Sequence, residues 1–60
     1  MPLYDVEGRG TIWASSPEEA FTLAHGSPAG GVKAEQADPR TWRMEANGRQ
    51  FKVTVRADAG

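Results

Sequence analysis

The sequence contains no cysteine and only one histidine, His25. The lack of cysteine excludes disulfides, thiolate zinc sites and thiol nucleophiles, and one histidine without cysteine argues against a structural metal site. Apolar runs are far shorter than the roughly 20 residues that cross a bilayer, and residues 1–10 have neither the basic nor the apolar segment of a secretory signal. We therefore expect a cytoplasmic protein that has no membrane contact and no metal or cofactor.

The chain has 60 residues, which is enough for one domain, residues 1–60. Folding at this length hides only about 60% of the surface of the unfolded chain, so such domains usually need reinforcement. Since disulfides are excluded and a metal site is disfavoured, self-association is the remaining means of reinforcement. The sequence therefore favours a homodimer. The apolar residues suffice for one thin layer between a helix and a sheet, without a deep cavity of roughly 300 Å³ or more.

The clearest local pattern is a β-hairpin in residues 41–57, where two alternating runs flank Asn47 and Gly48. Both residues tolerate the positive φ of a type I′ turn, which fixes the register of the two strands. Side chains alternate between the two faces with period two. One face then holds Trp42, Met44, Ala46, Arg49, Phe51, Val53 and Val55, and we expect it to join Phe21 in the core.

The opposite face of the predicted hairpin is polar and mainly basic. Arg43 lies opposite Lys52, and Arg56 lies on the same face, while Glu45 partly balances them. Like charges directly across two strands destabilise by a few tenths of a kcal/mol up to about 1. This face is either a solvated surface or a surface that meets an anion, such as a phosphate or the carboxylates of a partner.

Residues 3–7 and 11–14 are both typical of strands, and Gly8-Arg9-Gly10 separates them. A three-residue loop would make a second hairpin, and a glycine bulge would instead leave one long strand. We favour the hairpin. The two glycines also begin a dinucleotide-binding pattern, but Trp13 occupies the third glycine position and no helix follows directly.

A short helix is predicted after Ser16, which is the N-cap of a capping box completed by Glu19. Pro17 suits the first helical position, and Gly26 suits the residue after the last. Residues 27–31 then form a loop, and residues 32–37 form a short strand that we place at a sheet edge. Asp38-Pro39 forms a turn. The inward stripe of the helix contains Ala20, Phe21 and Ala24, with Leu23 at its edge.

His25 lies at the end of this helix. There an imidazolium would interact favourably with the helix dipole, whereas catalysis would need a tertiary partner such as Ser15 or Asp5. Glu18 and Glu19 suit the start of a helix better than an acid–base pair, because adjacent helical positions point about 100° apart. We therefore assign no catalytic residue and expect the protein not to be an enzyme.

The net charge of −1 is unevenly distributed. Residues 1–37 hold five acidic and two basic residues, and residues 38–60 hold five basic and three acidic ones. This pattern opposes nucleic-acid binding driven by bulk charge. The abundance of Ala, Gly and Arg over Ile, Lys and Asn is typical of a GC-rich bacterial or phage coding sequence.

The fold class that follows is α+β, with an antiparallel sheet of three to five strands and one short helix on one face. We interpret the chain as a small non-enzymatic protein-interaction module, a regulator or inhibitor that docks on a protein partner. The alternative is a nucleic-acid binder that uses the basic face of the 41–56 hairpin. Tryptophan at a surface is a preferred binding residue, although Trp13, Trp42 and Tyr4 also suit a core or a subunit interface. The candidate partner-binding residues are Arg43, Lys52, Arg56, Arg49, Trp13 and Trp42.

Overall fold

The computed structural model describes residues 1–58, and the side chains of residues 1–56. One antiparallel sheet of five strands has the order β2-β1-β5-β4-β3, and a single helix packs on one of its faces. The predicted α+β fold class is confirmed. The elements are β1 (Pro2–Val6), β2 (Gly10–Trp13), α1 (Pro17–His25), β3 (Lys33–Asp38), β4 (Thr41–Ala46) and β5 (Arg49–Asp58).

The β4–β5 hairpin has the register that the sequence predicts. Asn47 and Gly48 have φ values of 53° and 76°, as a type I′ turn requires. Met44 lies opposite Phe51, and Trp42 lies opposite Val53. The two-residue turn therefore fixes which side chains share a face, and the packing of α1 makes one of these faces the core.

The N-terminal segment is a hairpin and not one long strand. Gly8 and Gly10 have φ values of 78° and 84°, and the Arg9 N–H donates to the Val6 carbonyl at 2.9 Å. The β1 strand pairs with β2 on one side and with β5 on the other. Because β5 joins the two hairpins, the strands from the two ends of the chain are neighbours in the sheet.

The core lies between α1 and the sheet. Of the expected core residues, Phe21, Met44 and Val53 are buried, while Trp42 and Phe51 are half-buried and pack against them. Leu23, placed at the edge of the inward stripe, is 62% exposed. The buried set contains Tyr4, Val6, Ala14, Ala20, Phe21, Met44, Ala46 and Val53.

The start of α1 differs in one detail from the predicted capping box. The Ser16 hydroxyl accepts from the Glu19 N–H at 3.1 Å, as expected. The Glu19 carboxylate, however, accepts from the N–H of Ser15 at 2.6 Å and from its hydroxyl at 3.0 Å. These hydrogen bonds lower the pKa of Glu19, and they extend the cap one residue beyond the N-cap.

The end of α1 also differs slightly from the expectation. Gly26 ends the helix with its N–H donating to the Thr22 carbonyl at 2.7 Å. Its φ of 88° is positive, as predicted, but its ψ of 177° lies outside the left-handed helical region. Glycine alone enters this region readily because it has no Cβ.

The loop after α1 leads to β3, which is an edge strand as predicted and is exposed along its whole length. The turn into β4 is closed by Asp38, whose carboxylate accepts from the Arg40 N–H at 2.9 Å. The Arg40 guanidinium donates to the carbonyls of Val55 and Arg56 at 3.1 and 3.4 Å. Arg40 thus fixes the second half of β5 against the β3–β4 turn.

Candidate functional site

The sheet presents two different faces. The helix α1 covers one, and no helix or strand of residues 1–58 covers the other, which we call the open face. Strand register and side-chain alternation place the residues of the open face. They are Leu3, Asp5, Thr11, Trp13, Lys33, Glu35, Thr41, Arg43, Glu45, Gln50, Lys52 and Thr54, together with Arg56, which reaches Asp5.

The open face carries charges of both signs, which corrects the predicted cationic surface. Arg43 forms an ion pair with Glu35 of β3 at 3.3 Å, and Arg56 forms one with Asp5 of β1 at 3.3 Å. The hairpin taken alone is basic, but its neighbours β1 and β3 contribute carboxylates. Only the order of the strands brings these acidic residues beside the basic ones.

The predicted repulsion between Arg43 and Lys52 is also relieved by a neighbouring strand. The two residues are directly opposite each other, and the Arg43 side chain turns to Glu35. On the other side, the Glu7 carboxylate accepts from the backbone N–H of Lys52 at 3.1 Å. Each member of the pair thus contacts a carboxylate, Arg43 through its side chain and Lys52 through its backbone N–H.

A shallow hollow of about 260 Å³ lies in the middle of the open face. Its rim includes both signs of charge, from Glu7, Arg43 and Lys52, together with Thr41 and Gln50. The hollow can accept polar or charged side chains from a partner, since hydrogen-bond donors and acceptors both face it.

An apolar patch forms one corner of the open face. Trp13 in the edge strand β2 lies opposite Leu3 in β1, and Trp13 is 50% exposed. We call these two residues the Trp13 patch. Met1, which precedes β1, is 62% exposed. Trp13 is the larger side chain of the patch, and its position follows from the pairing of β2 with β1.

The six predicted partner-binding residues divide between the two faces. Trp13, Arg43, Lys52 and Arg56 belong to the open face, whereas Trp42 and Arg49 lie on the helix side. Trp42 is half-buried, with its ring 6.1 Å from that of Tyr4 at 72°, so it belongs to the margin of the core. Tyr4 itself is buried.

His25 lies in the last turn of α1, as predicted, but its surroundings disfavour the imidazolium form. Burial lowers its pKa, and the charges of Arg9 and Arg49 lower it further, although the Glu7 carbonyl raises it. The imidazole ring lies 4.7 Å from each of the rings of Phe21 and Phe51. Burial beside these rings and the two nearby arginines therefore disfavour the charged form of His25.

The two groups considered as catalytic partners of His25 are engaged elsewhere. The Ser15 hydroxyl donates to Glu19, and the Asp5 carboxylate pairs with Arg56. Among the side chains of residues 1–56, no three His, Asp or Glu come together as metal ligands. In the same part of the chain, no helix is long and apolar enough to cross a membrane.

Two residues with clear roles carry no recognisable signal in the sequence. Glu7 extends the β1–β5 ladder beyond the end of β1. Its N–H donates to the Lys52 carbonyl at 2.9 Å, and its carboxylate accepts from the Lys52 N–H. Arg40 holds β5 from the opposite side. Both contacts join residues distant in sequence, so no local pattern predicts them.

No family model, curated protein or solved structure matches this chain. We therefore infer function from the surfaces of this chain alone.

Proposed function

We propose that this protein is a small non-enzymatic interaction module that docks on a protein partner through the open face of its sheet. The observation that carries the proposal is the Trp13 patch beside a charge-balanced polar surface. Interfaces between proteins combine an apolar, often aromatic, centre with a polar rim. On the open face the corner formed by Leu3 and Trp13 supplies the apolar, aromatic part of such a surface, and the ion-paired strands beside it supply the polar part.

The balance of charge favours a protein partner over a nucleic acid. Proteins that bind nucleic acid without reading bases depend on unpaired lysine and arginine to neutralise phosphates. Here Arg43 and Arg56 are paired with carboxylates of the same chain. A phosphate backbone would have to compete with these carboxylates and would meet their repulsion as well.

The size of the open face suits a standard interface. The Cα positions extend over 32 by 22 Å in their two longer directions, which corresponds to an area of about 700 Å². Stable complexes bury about 800 Å² on each partner. Docking of a folded partner over the whole sheet would therefore reach the usual range, with Trp13 as its aromatic anchor.

The partner that this surface fits is a protein with an apolar pocket for Trp13 and charges that alternate in sign. The open face of a second copy also carries charges of both signs, and we propose a homodimer as one form of the docked state. We propose that the module is a regulator or inhibitor of bacterial or phage origin. A protein that acts only through a binding surface exerts its effect by occupying its target.

The test compares three immobilised baits: wild type, Trp13→Ala and Leu23→Ala. Leu23 is the matched control, because it is also a large exposed apolar residue but lies on α1, away from the open face. We expect a bacterial protein that wild type and Leu23→Ala both retain and that Trp13→Ala loses. Calorimetry with the purified partner should then give at least a tenfold weaker Kd for Trp13→Ala, equivalent to about 1.4 kcal/mol. Equal retention by all three baits would overturn the proposal.

Sedimentation equilibrium distinguishes the possible occupants. A wild-type dimer that Trp13→Ala converts to a monomer would identify a second copy on the open face. The same measurement with a short duplex DNA at low salt tests the alternative function. A mass shift with DNA that disappears in an Arg43→Glu, Lys52→Glu variant would replace protein docking by nucleic-acid binding.

A further inference from the structure

A second hollow lies on the helix side of the molecule, away from the open face. It has a volume of about 370 Å³ and opens at the surface between the end of α1, the loop that follows, and the tip of the β4–β5 hairpin. We call it the His25 hollow. Its lining includes Phe21, His25, Pro28, Asn47, Arg49 and Phe51.

The floor of the His25 hollow is aromatic. The rings of Phe21 and Phe51 are 5.1 Å apart, and each lies 4.7 Å from the imidazole of His25. Such a three-ring cluster presents flat apolar surface, on which a planar or aliphatic group can pack. A ligand here would cover Phe51, which the protein itself buries only in part.

Among the described side chains, the lining of the hollow includes the positive charge of Arg49 and no carboxylate. The Arg49 guanidinium lies 5.7 Å from the centre of the Phe51 ring, and Arg9 is near enough to act on the imidazole. In contrast to Arg43 and Arg56, neither arginine has an ion-pair partner among residues 1–56, whose side chains the structure describes. In the same part of the chain, Nε2 of His25 is buried without a hydrogen-bond partner.

We propose that the His25 hollow binds a small carboxylate carried on an apolar or aromatic group. The ring cluster receives the apolar part, and the Arg49 guanidinium, which offers two parallel N–H donors, receives the carboxylate. A compact phosphate fits less well, since most of the lining is apolar and would leave its further oxygens without donors. The negative end of the α1 dipole opposes an anion, but α1 is short and its last turn is partly closed by the Gly26 N–H.

Binding of a carboxylate would also act on His25. The positive charges of Arg49 and Arg9 are among the causes that keep the pKa of His25 low. A bound anion compensates them and therefore raises this pKa, and by linkage the carboxylate binds more tightly as the pH falls towards 6. The imidazole is thus a built-in reporter of occupancy.

The experiment is an NMR titration of the whole protein with benzoate, with benzyl alcohol as the uncharged control. We expect benzoate to shift the resonances of His25, Phe51 and Arg49 in a saturable manner and to raise the pKa of His25, whereas benzyl alcohol binds more weakly and leaves that pKa unchanged. Arg49→Gln should weaken benzoate binding about tenfold, as expected for loss of a charge-assisted hydrogen bond. Arg43→Gln, which removes an arginine of the same hairpin from the open face, should leave it unchanged.

Two outcomes would overturn the proposal. One is the absence of any saturable shift at His25 and Phe51 with benzoate, and the other is an equal loss of affinity in Arg49→Gln and Arg43→Gln. Thermal unfolding of both variants verifies that they remain folded. The hollow and the open face lie on opposite sides of the sheet, so failure here leaves the docking experiment with Trp13 unaffected.

A second pair of probes distinguishes two sources of the carboxylate, a peptide C-terminus and a free organic acid. N-acetylphenylalanine carries the free carboxylate of a peptide end, and its amide lacks the charge. Tighter binding of N-acetylphenylalanine than of benzoate, lost in the amide, identifies a peptide C-terminus. Tighter binding of benzoate identifies a free organic acid, and both results support a carboxylate site.

Discussion

Phe21 is the one large side chain that α1 buries in the core. It is 1% exposed, and the other fully buried residue of the helix is Ala20. A nine-residue helix is not stable alone in water, so its attachment to the sheet depends on this ring. We therefore predict that truncation of Phe21 destabilises the whole domain and not only the helix.

The expected magnitude follows from burial and chain length. Phe→Ala at a buried site costs about 3–5 kcal/mol, whereas a domain of this size has a total free energy of unfolding of about 3–9 kcal/mol. Phe21→Ala should consequently leave little or no folded protein. Phe21→Leu keeps most of the apolar volume and should cost about 1–2 kcal/mol. Leu23→Ala, two residues further along α1 and exposed, should change the free energy of unfolding by less than about 0.5 kcal/mol.

Urea unfolding monitored by far-UV circular dichroism measures all three variants. With a slope near 1 kcal/mol/M for a small protein, Phe21→Leu should lower the midpoint by about 1–2 M, and Leu23→Ala should leave it nearly unchanged. If Leu23→Ala were as destabilising as Phe21→Leu, or if Phe21→Ala remained as stable as wild type, the helix would not pack on the sheet as described. The reasoning about the core would then be refuted.

Three further predictions concern single residues. The pKa of His25 is lowered in the folded state, so the folded form binds fewer protons than the unfolded one as the pH falls below about 6.5. The free energy of unfolding should therefore fall from pH 7 to pH 5. Urea titrations at both pH values should show that His25→Phe abolishes this part of the pH dependence. Glu19→Ala removes the acceptor of the Ser15 N–H and should lower the urea midpoint, whereas Glu18→Ala leaves that hydrogen bond in place and should not; equal midpoints for the two variants would contradict the extended cap. Gly48→Ala puts a Cβ at a φ of 76° and should lower the free energy of unfolding by about 1 kcal/mol. Thermal unfolding can detect this change, and an unchanged Tm would exclude the type I′ turn.

Local sequence chemistry predicts the elements of this fold well. Asn47 and Gly48 fix the register of the β4–β5 hairpin, because few other residues tolerate two positive φ values in succession. Ser16 and Gly26 mark the two ends of α1, because each satisfies backbone groups that the helix leaves unpaired. These effects act over a few residues, so they can be read from the chain alone.

The electrostatic character of the surface could not be predicted in the same way. The hairpin residues Arg43 and Lys52 predict a basic face, but the strand order places Glu35 and Glu7 beside them. Strand order results from contacts between residues far apart in sequence, such as the pairing of β1 with β5. The Glu35–Arg43 contact spans only the short β3–β4 turn, but the contacts of β1 with β5 join the two ends of the chain, so no local pattern predicts the full charge of the open face.

His25 and Trp13 show the same division between local and tertiary information. The sequence places His25 at the end of a helix and Trp13 in a strand, and both placements are confirmed. Whether the imidazole is charged depends on Phe21, Phe51 and Arg49, which surround it only in the folded chain. The 50% exposure of Trp13 likewise follows from the edge position of β2 and from the single helix, which covers the other face.

The sequence by itself thus determined the fold class, the turns, the caps and the side of each hairpin that enters the core, since these depend on backbone sterics and alternation. Tertiary structure alone decided the strand order, the pairing of the basic residues with carboxylates, and the division of the candidate residues between the open face and the His25 hollow. The physical reason is that charge and burial depend on what lies within a few ångströms in space, and the chain brings those neighbours together only when it folds.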